Sequence, residues 1–255
     1  VPRVSGWTQV SSGSGNGDNA VWRTTVKFDT DGKYNVNITG ADKAGNSDSG
    51  LNIVSGTAAA KDFVIDKTAP ELTVSYDNNS AQHGNYYDSA RKATITIKEH
   101  NFSKNDASVS LTARLDGKDI SKPKQSDWSG SNDSYVSTIE YKADGDYTFG
   151  IKYTDLAGNE IKTYADDSFH IDTVKPVVKI SGVEDKAAYS SKAAPEITFS
   201  DINFNADSIS VTLTGANKGE VKNFKYTVKE TKNGVKYVFD NIEEIKDNDD
   251  IYTLT

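Results

Sequence analysis

Apolar residues recur at every second position in short stretches along most of the chain. Between residues 66 and 171 these positions are Leu72 and Val74; Ile95 and Ile97; Val109, Leu111 and Ala113; Tyr135, Ile139 and Tyr141; Tyr147, Phe149, Ile151 and Tyr153; and Phe169 and Ile171. A period of two is that of a β-strand with one buried face. The stretches are rich in β-branched and aromatic residues and are separated by Gly, Asn, Asp and Ser, and no helical stripe of apolar residues is present. This spacing predicts an all-β protein built of antiparallel β-sandwiches.

The chain also repeats itself with a period of about 100 residues, which is the size of an ordinary domain. D-K-T-A-P at 66–70 is echoed by D-T-V-K-P at 172–176, and D-K-A-G-N at 42–46 by D-L-A-G-N at 155–159. Asn-Phe at 101–102 likewise recurs at 203–204. The repeats predict three segments. They are the C-terminal part of a repeat (1–65), a complete repeat (66–171) and the N-terminal part of a repeat that lacks its last strands (172–255).

The two end segments are predicted to hold complementary parts of one repeat. A half sandwich exposes sheet edges and half of a core, so it should not be ordered alone. We therefore expect the ends to be completed, by strand exchange with a second copy, by a neighbouring molecule or through an unexpected strand order. The alternative is that the repeat boundaries are displaced by a strand or two.

The motif residues resemble bacterial immunoglobulin-like repeats. The resemblance is carried by F-V-I-D-K-T-A-P at 63–70 and F-H-I-D-T-V-K-P at 169–176, together with the D-x-A-G-N segments, and it covers essentially the whole chain. It implies tandem immunoglobulin-like antiparallel β-sandwich domains of a Gram-positive surface protein, located at the cell surface or secreted. Tyr34 and Tyr147, each two residues before an apolar strand position, fit the tyrosine corner of that fold.

Composition excludes several classes of function. The chain has no Cys, which removes disulfides, thiolate metal sites and cysteine nucleophiles. Its net charge of −8, without a basic cluster, predicts no binding to nucleic acid, and no apolar run is long enough for membrane insertion. The three histidines, His83, His100 and His170, lie in separate segments and match no catalytic motif, so the chain is predicted not to be an enzyme.

The aspartates of the repeated motifs allow two interpretations. Asp42 and Asp155 can accept backbone N–H groups in an Asx-turn, which is the favoured role. Alternatively, each could join the linker aspartate of the next junction, Asp66 or Asp172, to hold Ca²⁺, a cation that needs six to eight oxygen ligands. No other cofactor is predicted.

Aromatic residues are the candidate binding residues. Trp22 aligns with the core-facing Tyr135 and is predicted to pack inside. Trp7 and Trp128 lie in loops rich in Ser, Gly and Asn, where an exposed ring suits carbohydrate stacking or a protein hot spot, and Tyr86 can contribute from the loop 77–90. The alternative is that these tryptophans fold over the open end of the sandwich.

Three functions therefore remain open. The first is a non-enzymatic stalk and adhesin that binds a host protein or a glycan, and by analogy with the family the protein could be an immunoglobulin. The second is a carbohydrate-binding accessory module of a secreted glycan-degrading enzyme. The third is a calcium-stiffened structural spacer.

Overall fold

The computed structural model describes residues 2–12, 20–36, 40–48, 62–190, 193–221, 225–231, 234–241 and 250–255. Within these residues the protein is all-β, with a short 3₁₀-helix and no α-helix. The same residues contain no helix that is both long and apolar enough to cross a membrane. The β class predicted from the two-residue period is therefore confirmed.

The first segment, residues 1–65, contains short strands that pair two by two. They are β1 (Arg3–Val4), β2 (Thr8–Ser11), β3 (Val21–Arg23), β4 (Val26–Lys27), β5 (Gly32–Asn35), β6 (Gly40–Ala41), β7 (Ser47–Asp48) and β8 (Asp62–Ile65). The antiparallel pairs are β1 with β4, β2 with β3, β5 with β8, and β6 with β7. Phe28 contacts Tyr34 and Phe63 edge-on, with ring centroids 4.8 Å away in both cases, and this cluster packs along β5 and β8.

The central segment, residues 66–171, forms two sheets. Its strands are β9 (Glu71–Tyr76), β10 (Tyr86–Tyr87), β11 (Arg91–Lys98), β12 (Ala107–Leu115), β13 (Lys118–Asp119), β14 (Ser129–Ser131), β15 (Ser134–Tyr141), β16 (Gly145–Tyr153) and β17 (Asp167–Ile171). One sheet has the order β14-β15-β11-β9 and the other β10-β17-β16-β12-β13. All pairs are antiparallel except β10 with β17, which is parallel.

One hydrophobic core joins the two central sheets. It consists of Ala93, Ile95, Ile97, Ala113, Ile139, Tyr141, Tyr147, Phe149, Ile151, Tyr153, Ile161, Phe169 and Ile171. Along β11 and β16 every second residue is buried in this core, as the period of two predicts. The sequence pattern thus identified the inward face of these strands correctly.

The last segment, residues 172–255, repeats the strand order of the central one. Its elements are β18 (Val177–Ser181), β19 (Glu196–Ser200), the 3₁₀-helix η1 (Ala206–Ser208), β20 (Leu213–Gly215), β21 (Gly219–Glu220), β22 (Lys225–Thr231), β23 (Gly234–Asn241) and β24 (Tyr252–Leu254). Its sheets have the orders β18-β19-β23-β22 and β21-β20-β24. These orders match β9-β11-β15-β14 and β13-β12-β16 of the central segment, in agreement with the repeated sequence motifs.

Every strand pair among the described residues lies within one of these three segments. Apolar residues of both end segments stay exposed, with Val4 at 63 % and Val177 at 62 %. The described residues show no strand pairing between the two ends of one chain. Strand exchange with a second copy remains a prediction.

The hydrogen bond of a tyrosine corner is present in two segments. The hydroxyl of Tyr147 donates to the carbonyl of Ala143 at 2.8 Å, and that of Tyr34 donates to the carbonyl of Thr30 at 2.7 Å. Each bond ties the start of a strand, β16 or β5, to the turn before it. The predicted local motif is therefore found at both positions.

Arg91 is a buried cation at the start of β11. Its side chain is 6 % exposed, and its guanidinium carbon lies 3.9 Å from the ring centres of both Tyr76 and Tyr87 and 4.5 Å from that of Phe169. The Nε atom donates to the carbonyl of Asn78 at 2.8 Å. Aromatic faces and a backbone carbonyl thus replace the water that the guanidinium loses on burial.

Candidate metal centre between the first and central segments

Three carboxylates meet where the linker enters the central segment. One carboxylate oxygen from each of Asp66, Glu99 and Asp155 lies within 4.8 Å of the other two. Glu99 is 6 % exposed and Asp155 is 5 % exposed, while Asp66 is half-buried. Buried like charges at this separation are unfavourable unless a proton or a cation neutralises them.

The topology of the central segment brings these residues to one end of the sandwich. Asp66 lies between β8 and β9, and Glu99 follows β11 directly. Because β9 and β11 are antiparallel, the start of one pairs with the end of the other, and Glu71 is the partner of Lys98. In the facing sheet, the end of β16 pairs with the start of β12, which is the next strand after β11. Asp155, two residues after β16, therefore reaches the same end.

The D-x-A-G-N segment positions Asp155. Its Oδ1 accepts the backbone N–H groups of Ala157 and Asn159, both at 2.8 Å, and its Oδ2 accepts Nδ2 of Asn159 at 2.8 Å. Gly158 has a φ of 93°, which other residues rarely adopt. The Asx-turn predicted from the sequence is confirmed here.

Two asparagines attach the linker to this turn and to the end of β11. Nδ2 of Asn159 also donates to the main-chain carbonyl of Asp66 at 3.1 Å. Asn101 donates twice, from its backbone N–H to Glu99 Oε1 and from Nδ2 to Asp66 Oδ2, both at 2.6 Å. The linker thus has polar contacts to both sheets of the central segment.

The electrostatics of Glu99 reflect its surroundings. Burial raises the pKa of the Glu99 carboxyl, and the nearby charges of Asp66 and Asp155 raise it further, while the N–H of Asn101 acts in the opposite direction. When no cation is present, a larger fraction of Glu99 is therefore protonated at a given pH than for a glutamate in water. Glu99 and Asp66 also line a cleft of about 610 Å³ between the first and central segments, which gives a cation a path from solvent.

The donor set fits a hard cation. The ligands available are carboxylate oxygens, with neither His nor Cys in the group. Ca²⁺ prefers such oxygens and tolerates irregular geometry, whereas Mg²⁺ requires a near-octahedral shell. Asp66, Glu99 and Asp155 are thus the residues that would hold Ca²⁺.

The structure corrects the grouping of the predicted aspartates. Asp155 lies with Asp66, the linker that precedes its own repeat, and not with Asp172 at the next junction. The reason is the antiparallel topology, which returns the end of β16 to the end of the sandwich where the chain enters. Asp42 is exposed and lies outside the group, and its carboxylate accepts N–H groups of Ala44 and Asn46 in its own turn. The hydrogen bonds from Asn46 hold the pKa of Asp42 below its usual range.

Glu99 was missed by sequence reasoning. A signal was present, because an acidic residue stands two positions before each Asn-Phe pair, as Glu99 and as Asp201. The second junction repeats the local geometry, with Asn203 donating from Nδ2 to Asp172 Oδ2 at 2.8 Å and from its backbone N–H to Asp201 at 2.7 Å. In the part of the chain that the structure describes, a group of three carboxylates occurs at the first junction only.

The predicted aromatic binding residues have different surroundings. Trp7 is 61 % exposed. Trp128 is half-buried and contacts Phe102 edge-on at 5.3 Å, so it folds over the end of the sandwich, as the alternative interpretation has it. Tyr86 is half-buried and stacks on His170 at 4.1 Å. The prediction that Trp22 packs inside is wrong, because it is 53 % exposed on β3, opposite Gln9.

The chain matches no model of a protein family, and no curated protein matches it. The arrangement at the junction and the exposed aromatic residues of the first segment are the features that bear on function.

Proposed function

We propose that this chain is a non-enzymatic segment of a bacterial surface protein, in which immunoglobulin-like domains follow one another as an extracellular stalk and Ca²⁺ stiffens the junction between them. The observation that carries the proposal is the meeting of Asp66, Glu99 and Asp155 at the point where the linker enters the central segment. A stalk has to transmit its orientation from one domain to the next. A cation at the linker is a direct physical means of doing so.

The position of Asp66 explains why a cation would stiffen the junction. Asp66 belongs to the linker, whereas Glu99 and Asp155 belong to opposite sheets of the central segment. The side chain of Asp66 accepts Nδ2 of Asn101 and the backbone N–H of Thr68, and its carbonyl accepts Nδ2 of Asn159. A cation shared by the three carboxylates would add ionic ligation to these hydrogen bonds and remove the mutual repulsion of the charges.

The separation of the three histidines in the central segment favours a structural function over catalysis by histidine. His100 contacts Asp133 at 3.0 Å and His170 contacts Asp146 at 2.5 Å, while His83 is exposed in a loop. Each of these histidines lies in a different part of the central segment. Catalysis by histidine would need a histidine to converge with other titratable groups on one substrate position.

Calcium dependence of stability tests this proposal. We expect Ca²⁺ at about 100 times its Kd to raise the free energy of unfolding by about 2.7 kcal/mol, because it binds only the folded junction. For a domain of about 100 residues this corresponds to a rise in Tm of roughly 10 °C, measured by calorimetry in Ca²⁺ and in EDTA. Asp66→Asn should remove most of the rise, whereas the exposed Asp88→Asn should keep it. A wild-type Tm that is the same in Ca²⁺ and in EDTA would overturn the proposal.

A second function, binding of a host partner, is favoured by the exposed tryptophans of the first segment. Trp22 pairs across β2 and β3 with Gln9, and Trp7 lies two residues before Gln9, so both exposed tryptophans lie at the β2–β3 hairpin. Exposed aromatic rings suit a glycan ring or a protein hot spot. The partner proposed is a host glycan or a host protein such as an immunoglobulin. Trp128 is half-buried, which weakens the accessory-module alternative that relied on it.

Binding assays on the full chain separate these partners. We expect Trp7→Ala and Trp22→Ala each to weaken binding at least tenfold, the range for an aromatic hot spot, in glycan arrays or in surface plasmon resonance with immunoglobulin. The matched control is Trp128→Phe, which changes a tryptophan away from this hairpin. Equal binding by wild type and both hairpin variants, or no binding by wild type, would contradict the adhesive function without affecting the calcium proposal.

A further inference from the structure

We infer that Phe102 is a positioning residue for the junction cation: its aromatic stack sets the separation between Glu99 and Asp155. The inference rests on the proposed calcium site. The phenylalanine of the repeated Asn-Phe pair would then orient two of the cation's ligands without binding the cation itself.

Phe102 lies between residues of both central sheets and is half-buried. Its ring stacks on Tyr135 of β15 with centroids 4.2 Å apart and on Tyr153 of β16 at 5.4 Å, and it meets Trp128 edge-on at 5.3 Å. β15 and β16 belong to different sheets. The phenyl ring therefore joins the two sheets at the end of the sandwich that carries the carboxylates.

The residues on either side of Phe102 connect this stack to the ligands. Asn101, immediately before it, donates to Glu99 and to Asp66. Ser103, immediately after it, donates its backbone N–H to the hydroxyl of Tyr153 at 3.0 Å. Both ends of the short Asn-Phe-Ser segment are thus tied, one to two of the carboxylates and the other to β16.

The same stack determines where Asp155 lies. Tyr153 is the last residue of β16, and Asp155 follows two residues later. When Phe102 packs on Tyr153, the segment after β11 and the turn after β16 are held together, and Glu99 and Asp155 with them. Outer groups that orient ligands typically contribute 10- to 100-fold to metal affinity.

The alternative is that Phe102 contributes packing alone. In that case its loss would lower stability without changing Ca²⁺ affinity. Tyr147→Phe supplies a comparison, because it removes the hydrogen bond to Ala143 at the start of β16, the other end of the strand from Tyr153. The loss of this hydrogen bond is expected to lower the Tm.

Calorimetric titration of the full chain with Ca²⁺ tests the inference, at a temperature below the Tm of each variant in EDTA. We expect Phe102→Leu to raise the Kd about 10- to 100-fold, as for other groups that orient metal ligands. Phe102→Tyr should restore affinity close to that of the wild type, because it keeps the ring, and Tyr147→Phe should leave the Kd unchanged although it lowers the Tm. If Phe102→Leu does not fold, Tyr153→Phe replaces it. That variant keeps the ring and removes only the acceptor for Ser103, and its Kd should rise at least severalfold.

The outcomes separate the two proposals. Wild-type binding with an unchanged Kd in Phe102→Leu, or in Tyr153→Phe where that variant replaces it, would overturn the positioning role and leave the calcium site standing. A wild-type chain that releases no heat and shows no Ca²⁺-dependent Tm would overturn both.

Discussion

Glu99→Gln is expected to raise the Tm of the protein in EDTA and to remove most of the rise produced by Ca²⁺. Without a cation, the charged carboxylate of Glu99 is buried near two others, and the neutral amide relieves this repulsion. With Ca²⁺ present, the same substitution removes a charged ligand. A single substitution should therefore stabilise the cation-free protein by about 1 kcal/mol, several degrees in Tm, and destabilise the protein by less than about 2 kcal/mol when Ca²⁺ is at about 100 times the wild-type Kd.

The pH dependence of the Tm in EDTA tests whether the buried charge of Glu99 causes this reversal. The pKa of Glu99 is raised in the folded protein, so the folded state binds the proton more tightly than the unfolded chain does. Its contribution to stability is complete below the ordinary pKa of glutamate and is lost as the pH rises through the raised folded pKa. The Tm of wild type should fall relative to that of Glu99→Gln as the pH increases from about 4 towards neutrality.

Glu140→Gln is the matched control for both measurements. Glu140 is exposed and is held by Lys142, whose hydrogen bond lowers the pKa of the Glu140 carboxyl. Its loss should leave the free energy of unfolding nearly unchanged, both with Ca²⁺ and in EDTA. If Glu99→Gln and Glu140→Gln gave the same response to Ca²⁺ and to EDTA, Glu99 would not belong to a cation site.

Arg91→Ala is expected to lower the free energy of unfolding of the central segment by about 3 kcal/mol or more. The guanidinium is enclosed by Tyr76, Tyr87 and Phe169, so alanine would leave a cavity where three rings lose their contact. The carbonyl of Asn78 would lose its donor as well. Chemical denaturation at constant Ca²⁺ measures this change.

Two further substitutions distinguish the contacts of Arg91 with the three rings from a general effect of its charge. Arg91→Lys keeps the positive charge but loses the planar group that stacks between rings, so its cost should be intermediate. Arg114→Ala removes an exposed arginine of the same segment, which pairs with Asp119 at 2.9 Å, and should cost less than about 1 kcal/mol. If Arg91→Ala and Arg114→Ala lowered the free energy of unfolding equally, the rings around Arg91 would contribute nothing to stability.

Local features of the fold could be predicted because the residues that produce them are close in sequence. The period of two in β11 and β16 follows directly from strand geometry and identified the buried face. The Asx-turn at Asp155 and the hydrogen bond of Tyr147 also arise within four residues. Trp22 was placed wrongly because burial depends on which elements pack over a residue, and its alignment with Tyr135 carries no such information.

The sequence by itself determined the β class, the alternation that forms the central core, the repeated order of motifs and the turn chemistry of each acidic motif. Only the tertiary structure decided which carboxylates meet. Asp66, Glu99 and Asp155 are far apart along the chain, and the sequence suggested that Asp155 would join the linker that follows it. The antiparallel course of β9, β11 and β16 brings it instead to the linker that precedes it, together with Glu99. Strand direction sets the end of the sandwich at which a side chain emerges, and strand direction is a property of the assembled sheets.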